Sequence, residues 1–120
     1  MSTASKMLAE FHATLGDERG RGNSELQLTL HREEHYELAR ELKYPDCLID
    51  RAKLARELAD VVYVAFGTAH AFAIDLDAAL AEVHRAAMSK LDPATMVVRA
   101  DGKVLKPPGF MAPDMTEAIS

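Results

Sequence analysis

The sequence has almost no cysteine and no tryptophan: of 120 residues one is Cys, none is Trp, and aromatic residues make up 6%. A lone Cys47 cannot close an intramolecular disulfide, so nothing asks for an oxidising compartment and a cytoplasmic setting is expected. With so few aromatics, the core falls to aliphatic side chains. Long apolar runs are missing too. The most apolar stretch, Val61 to Ile74, is shorter than the roughly 20 residues a bilayer span needs, and it follows Asp60 directly and contains His70. No membrane association is expected. The opening MSTASKMLAEFHATLG carries Glu10 and His12 where a secretory signal would need its apolar run, so it reads as mature chain. An excess of positive charge is also absent: 14 Lys and Arg stand against 19 Asp and Glu, a net −5. That balance argues against a general nucleic-acid binder, which holds phosphates through clustered cations. It leaves room for a phosphate-bearing small molecule if divalent cations sit between carboxylates and phosphates.

What is present fits a soluble globular protein, with 48% apolar and 28% charged residues. A chain of this length is one ordinary domain that buries roughly two-thirds of its unfolded surface. We expect a single domain over 1–120, with a helical core over 3–92 and a Pro/Gly-rich arm over 93–120. Thr3 or Ser5 can cap a first helix, with Met7, Leu8, Phe11 and Leu15 on the helical period and Gly16 as its stop. GDERGRGNS, Gly16 to Ser24, reads as a polar connection. A second helix runs from Ser24 and ends before Tyr44-Pro45, because the residue ahead of proline is driven out of the helical region. Asp46 or Asp50 begins a third helix that continues to Ile74. Its second half is apolar nearly all round, which predicts burial in a core or between subunits. A fourth helix starts at Asp75 or Asp77 and stops at Asp92-Pro93. The arm, with an Asp101-Gly102 turn, predicts a loop or short hairpin packed over the helices. The fold class is all-α: an antiparallel four-helix, bundle-like domain with an irregular C-terminal arm.

The octet HREEHYEL, His31 to Leu38, supports two metals. Its first five letters fit the inverted zinc-protease pattern H-x-x-E-H, with His31 and His35 one turn apart. Such an enzyme needs a further ligand and a substrate chamber that 120 residues can hardly build. The other reading starts from the acids. Glu34 and Glu37 are about 60° apart round the helix, and Glu57 and Asp60 repeat the spacing on the third helix. Antiparallel packing of the two helices would gather four carboxylates, which oppose folding unless cations neutralise them. Oxygen-only ligation suits Mg²⁺ or Mn²⁺. The plainer alternative is a solvated acidic face paired with Arg32, Arg40, Lys53 and Arg56. Cys47, with no His near it in sequence, reads as a small apolar side chain rather than a nucleophile.

EEHYE (Glu33 to Glu37) followed by ELAD (Glu57 to Asp60) resembles the EExxE and ExxD motifs of the MazG-like all-α nucleoside triphosphate pyrophosphohydrolases. LADVVYVAFGTAHAFAIDLDAALAEVHRAAMSKL and RADGKVLKPPGFMAPD are similar to the dimeric-dUTPase-related, bacterial MazG-like branch, and EFH (Glu10 to His12) has a counterpart in its first helix. The resemblance implies hydrolysis between the α and β phosphates of a nucleotide, giving a monophosphate and pyrophosphate, with dUTP or a related deoxynucleotide as substrate. It implies Mg²⁺ or Mn²⁺ on Glu34, Glu37, Glu57 and Asp60. Glu33, about 100° round the helix from Glu34, is the candidate base for the attacking water. Lys90, Lys103 and Lys106 are candidates for the phosphate tail, Tyr63 for the pocket lining, and His12 for the base or sugar. The lysines have an ordinary alternative as surface charge, and Tyr63 has one as a half-buried core side chain. The chain departs from the pattern at HRAAMSKL, where Ala87 stands for an expected Asn whose amide can donate to phosphate or sugar oxygens. A noncatalytic helical homo-oligomer, or a nucleotide binder that has lost activity, is the competing expectation. A homodimer or dimer of dimers is expected from the apolar third helix.

Overall fold

The computed structural model describes residues 2–16 and 24–120. The connection expected between Gly16 and Ser24 has its residues 17–23 outside that range. The all-α expectation holds: among the described residues four long helices carry the fold, with one 3₁₀ turn between the second and third and a two-stranded hairpin and a short helix after the fourth. The chain divides into two compact units, one up to Ile74 and one from Asp75.

The first unit holds α1 (Thr3–Leu15), α2 (Ser24–Glu41) and α3 (Arg51–Ala71), with α3 as the element against which both others pack. Ser2, just outside the expected caps, caps α1 by accepting the Ser5 N–H at 3.2 Å. Gly16 ends α1 as its composition predicts, its N–H donating to the His12 carbonyl. Asp50 is the cap of α3, accepting from Ala52 and Lys53 N–H at 3.0 and 3.2 Å. Asp46 belongs instead to the 3₁₀ turn Asp46–Leu48. The helices approach closely at Gly67, where an added Cβ would lie 2.7 Å from Gln27 Oε1 and 3.4 Å from Leu8 Cδ1. Glycine is what lets α1 and α2 both seat on α3 there. Around it the core is partly polar. Buried His12 and Gln27 meet at 3.3 Å, and the His12 ring stacks on His70 with their Nδ1 atoms in contact. With the Gln27 amide nitrogen donating to His12 Nε2, the His12 proton sits on Nδ1 and is donated to His70. Burial, and then the neighbouring His70, hold the His12 pKa below its usual value, so this ring stays neutral in the core.

α3 stops three residues before the apolar run does. Ile74 N–H returns to the Ala69 carbonyl at 2.8 Å and Ala73 N–H to the His70 carbonyl at 3.3 Å, the paired bonds of a Schellman cap. The cap places Ala73 at φ 55°, in the left-handed region. Nor is the run buried all round within the chain. Gly67 and Ala69 are buried, whereas Val62 and Phe72 are 51% and 47% exposed. The reason is geometric: within the first unit α1 and α2 pack on only part of the circumference of α3 among the described residues.

In the second unit, α4 (Leu76–Ser89) is capped by Asp75, which accepts the Ala78 N–H at 3.0 Å. The arm forms an antiparallel hairpin of β1 (Val97–Val98) and β2 (Val104–Leu105), with Val97 opposite Leu105. Its turn uses Asp101 and Gly102 as expected: Gly102 lies at φ 94°, and Asp101 takes two bonds from the Arg99 guanidinium. A last short helix, α5 (Thr116–Ile119), packs on α4. Arg85 donates to the Met111 carbonyl at 3.3 Å, and Glu82 accepts the Asp114 N–H at 3.1 Å, so both α4 side chains hold the arm. No single described helix is long and apolar enough to cross a membrane. Because Ala73 occupies a conformation that costs an L-residue about 1–2 kcal/mol, and glycine recovers part of this against its greater unfolded freedom, Ala73→Gly should stabilise the protein. The expected gain in urea or thermal denaturation is about 0.5–1 kcal/mol.

Candidate metal centre

The packing of α2 on α3 brings the motif acids together. Glu34, Glu37 and Glu57 each place one carboxylate oxygen within 4.8 Å of the others. The i, i+3 spacing sets Glu34 and Glu37 on one face of α2, and the Asp50 cap sets where α3 begins opposite them. Asp60 stands at the edge of this group, with a side chain 41% exposed and Arg56 Nε at 3.8 Å.

The electrostatics are those of an uncompensated cluster. Desolvation, and then the charges of Glu37, Asp60 and Glu57, push the Glu34 pKa above the ordinary carboxylate value. Glu57 is only 9% exposed. Glu34 Oε2 and Glu57 Oε2 are both buried without a hydrogen-bond partner. Among the described residues no Lys or Arg forms an ion pair with Glu34, Glu37 or Glu57. The nearby cations are engaged with other groups. Lys53 pairs with Glu41 at 3.3 Å, and Arg40 lies over the Tyr36 ring at 5.9 Å. Two orphaned carboxylate oxygens in a group of three converging carboxylates are what a hard divalent cation would satisfy, so the donor set fits Mg²⁺ or Mn²⁺.

Beside the cluster lies a cavity of about 460 Å³, lined by Glu37, Glu57 and Asp60 together with Arg40, Glu41, Tyr44, Lys53 and Arg56. Glu41 is a site residue that motif reading overlooks. It is 4% exposed and continues the face of Glu34 and Glu37 at spacings of three and four. That i, i+3, i+7 periodicity was the available signal.

A family profile described as phosphoribosyl-ATP pyrophosphohydrolase matches residues 8–87, two-thirds of the chain and all of the clustered acids. The chain belongs to this pyrophosphohydrolase family. A search of curated proteins found no significant match. As a member of the family, the chain is an enzyme, a hydrolase acting on phosphoric anhydrides, and its substrate is a nucleotide. The family's enzymes are metal-dependent, which agrees with the acid cluster.

In this pyrophosphohydrolase the other expected residues are scattered. Glu33 is exposed on α2 and lies outside the group of three. Tyr63, one turn beyond Asp60, meets Phe11 edge-on at 5.9 Å and lines a second cavity of about 380 Å³ with Met7, Glu10, Phe11 and Thr14. His12, expected at the base or sugar, is placed in the helical core at 3% exposure. Lys90 and Lys106 belong to the second unit, where both ammonium groups lie over the Phe110 ring at 5.5 and 5.7 Å. Lys103 sits in the hairpin turn, its N–H donating to Asp101. All three lysines fall beyond the matched residues. Ala87 is the last matched residue and is exposed. His31 and His35 stack with Nε2 atoms 2.7 Å apart, and His31 Nδ1 meets Thr68 Oγ1 at 3.0 Å. No third His, Cys or acid joins them in a metal-holding group among the described residues, so the zinc pattern stays local.

A carboxyl whose folded pKa is raised contributes stability below its unfolded value that is lost as pH rises through the folded one. At neutral pH an ionised Glu34 therefore opposes folding of the metal-free protein. Glu34→Gln should melt higher than the parent in chelator at pH 7, and the difference should close as pH falls towards 4. Mg²⁺ should reverse the order, stabilising the parent by about 2.7 kcal/mol at a hundredfold excess over its dissociation constant and the variant by much less.

Proposed function

We propose that the protein hydrolyses a nucleoside triphosphate between its α and β phosphates, releasing a nucleoside monophosphate and pyrophosphate, with dUTP or a related deoxynucleotide as substrate. The observation that carries this reading is the pair of buried, partnerless oxygens on Glu34 and Glu57 within a converging carboxylate group. Glu34, Glu37, Glu57 and Asp60 would hold Mg²⁺ or Mn²⁺. Such ions, when bound, would supply charge neutralisation and Lewis-acid activation of a water. The chain's own part is to hold the acids in register across α2 and α3. Asp60 is at the exposed edge and lines the adjoining cavity. Glu33 is free of the cluster and exposed to water, which suits it to take the proton as a water oxygen bonds to the α phosphorus. The bond from that phosphorus to the bridging oxygen breaks, and its electron pair leaves with pyrophosphate.

The family's description offers a second substrate, phosphoribosyl-ATP, whose cleavage is the same chemistry on a nucleotide with a modified base. Ala87 bears on the choice. Being exposed, it removes a potential amide contact to substrate without disturbing the fold. Tyr63, at the cavity it shares with Phe11, keeps its assignment to the nucleoside as part of this proposal. We also assign a homodimer or dimer of dimers, on the exposed apolar surface of α3 at Leu58, Val62 and Phe72, and a cytoplasmic setting, on the lone free Cys47.

Incubation with Mg²⁺ or Mn²⁺ and a panel of dUTP, the other nucleoside and deoxynucleoside triphosphates and phosphoribosyl-ATP should release pyrophosphate, fastest from dUTP or a close relative. Preference for phosphoribosyl-ATP would select the second substrate, and no release from any of them would reject the function. Glu33→Gln should lower kcat about 100-fold or more with an unchanged melting temperature. Near-parental turnover would remove Glu33 as the base.

A further inference from the structure

The cavity beside the acid cluster has a second chemical character that the motifs do not describe. Arg40 on α2 and Lys53 and Arg56 on α3 line it together with Glu37, Glu57 and Asp60. We propose that Arg40, Lys53 and Arg56 form the subsite for the pyrophosphate half of the substrate. This rests on the pyrophosphohydrolase reading above and adds to it the direction in which the phosphate chain lies. Metal-neutralised carboxylates can hold the phosphate under attack, but the leaving pyrophosphate carries more negative charge as it departs and needs donors of its own. Guanidinium groups supply planar, paired N–H donors matched to phosphate oxygens. The cavity, about 460 Å³, is of small-ligand size. Its wall includes Glu57, nine-tenths covered with one buried oxygen that has no hydrogen-bond partner.

The three cations differ in how freely they move. Lys53 is held at 3.3 Å by Glu41, whose side chain is 5% exposed, and its removal would leave a buried carboxylate alone. Arg56 is 85% exposed and only loosely paired with Asp60 at 3.8 Å, so it can swing to phosphate when Asp60 is otherwise engaged. Arg40 is exposed, resting over Tyr36. The two arginines are thus the clean probes.

The test measures binding of inorganic pyrophosphate with Mg²⁺ by calorimetry, for the parent, Arg40→Ala/Arg56→Ala and Arg40→Lys/Arg56→Lys, with Mg²⁺-induced thermal stabilisation read in parallel. We expect the alanine pair to weaken pyrophosphate binding at least tenfold, the lysine pair to recover part of it, and Mg²⁺ stabilisation to persist in both. Binding within twofold of the parent would overturn the proposal. So would a loss of Mg²⁺ stabilisation in the alanine pair, which would make the arginines supports of the acid cluster. A tenfold loss on Lys90→Ala/Lys106→Ala with none on the arginine pair would move the subsite to those lysines and equally defeat it. If the parent hydrolyses nothing in the nucleotide panel, the function falls. Arginine-dependent pyrophosphate binding would still support an anion subsite in this cavity.

Discussion

Like charges confined in a partly dry space govern this molecule. Carboxylates from two helices are packed against each other, and burial strips them of much of the water that would screen their repulsion. Everything else in the first unit has to hold α2 and α3 together against that repulsion. The close approach at Gly67, the buried Gln27–His12–His70 contacts and the Asp50 cap all do so, at one end of the helix pair or along it. A scaffold optimised only for stability would have placed leucine where Glu57 stands. A divalent cation would offset that repulsion, so the free energy it costs the fold would reappear as affinity for the ion.

The division of charge along the α2–α3 seam extends the same logic. The acids at positions 34, 37 and 57 are left without cationic partners, while nearby Lys53 and Arg56 are drawn to Glu41 and Asp60 at its margin. Had Arg56 or Lys53 paired with Glu57, a buried salt bridge would have closed the site, and a divalent ion would have had to displace it. The spacing of cations on α3 keeps the cluster open and leaves positive charge in the adjoining cavity.

The four helices, the Gly16 stop, the break at Tyr44-Pro45 and the Asp101-Gly102 turn were legible in the sequence because periodicity, caps and turn signals agreed with one another, whereas α4 ends at Ser89, ahead of Asp92-Pro93. So was the convergence of Glu34, Glu37 and Glu57, which follows from two i, i+3 pairs on helices joined by a break. Other features depend on which surfaces meet, and spacing does not encode that. His12 is polar yet lies in the core because His70 and Gln27 complete its bonds there. Glu41 was hidden because the motif ends at Glu37, although the helical face does not. The end of α3 was misjudged because Phe72, Ala73 and Ile74 continue the apolar run, and only the left-handed Ala73 shows that the backbone has already turned.

The second unit has a property that follows from one bond. The N–H of Asp75, at the head of α4, donates to the carbonyl of Ala118, almost at the end of the chain. The segment between them is a ring closed without covalent chemistry, with the β1–β2 hairpin as its far loop. Extra residues inserted at the Asp101-Gly102 tip lengthen a loop whose ends are already tied by the strand pairing, and each doubling of such a loop costs only about 0.6 kcal/mol. The hairpin tip is therefore where a fluorescent label or affinity tag could be carried with least disturbance to the helices.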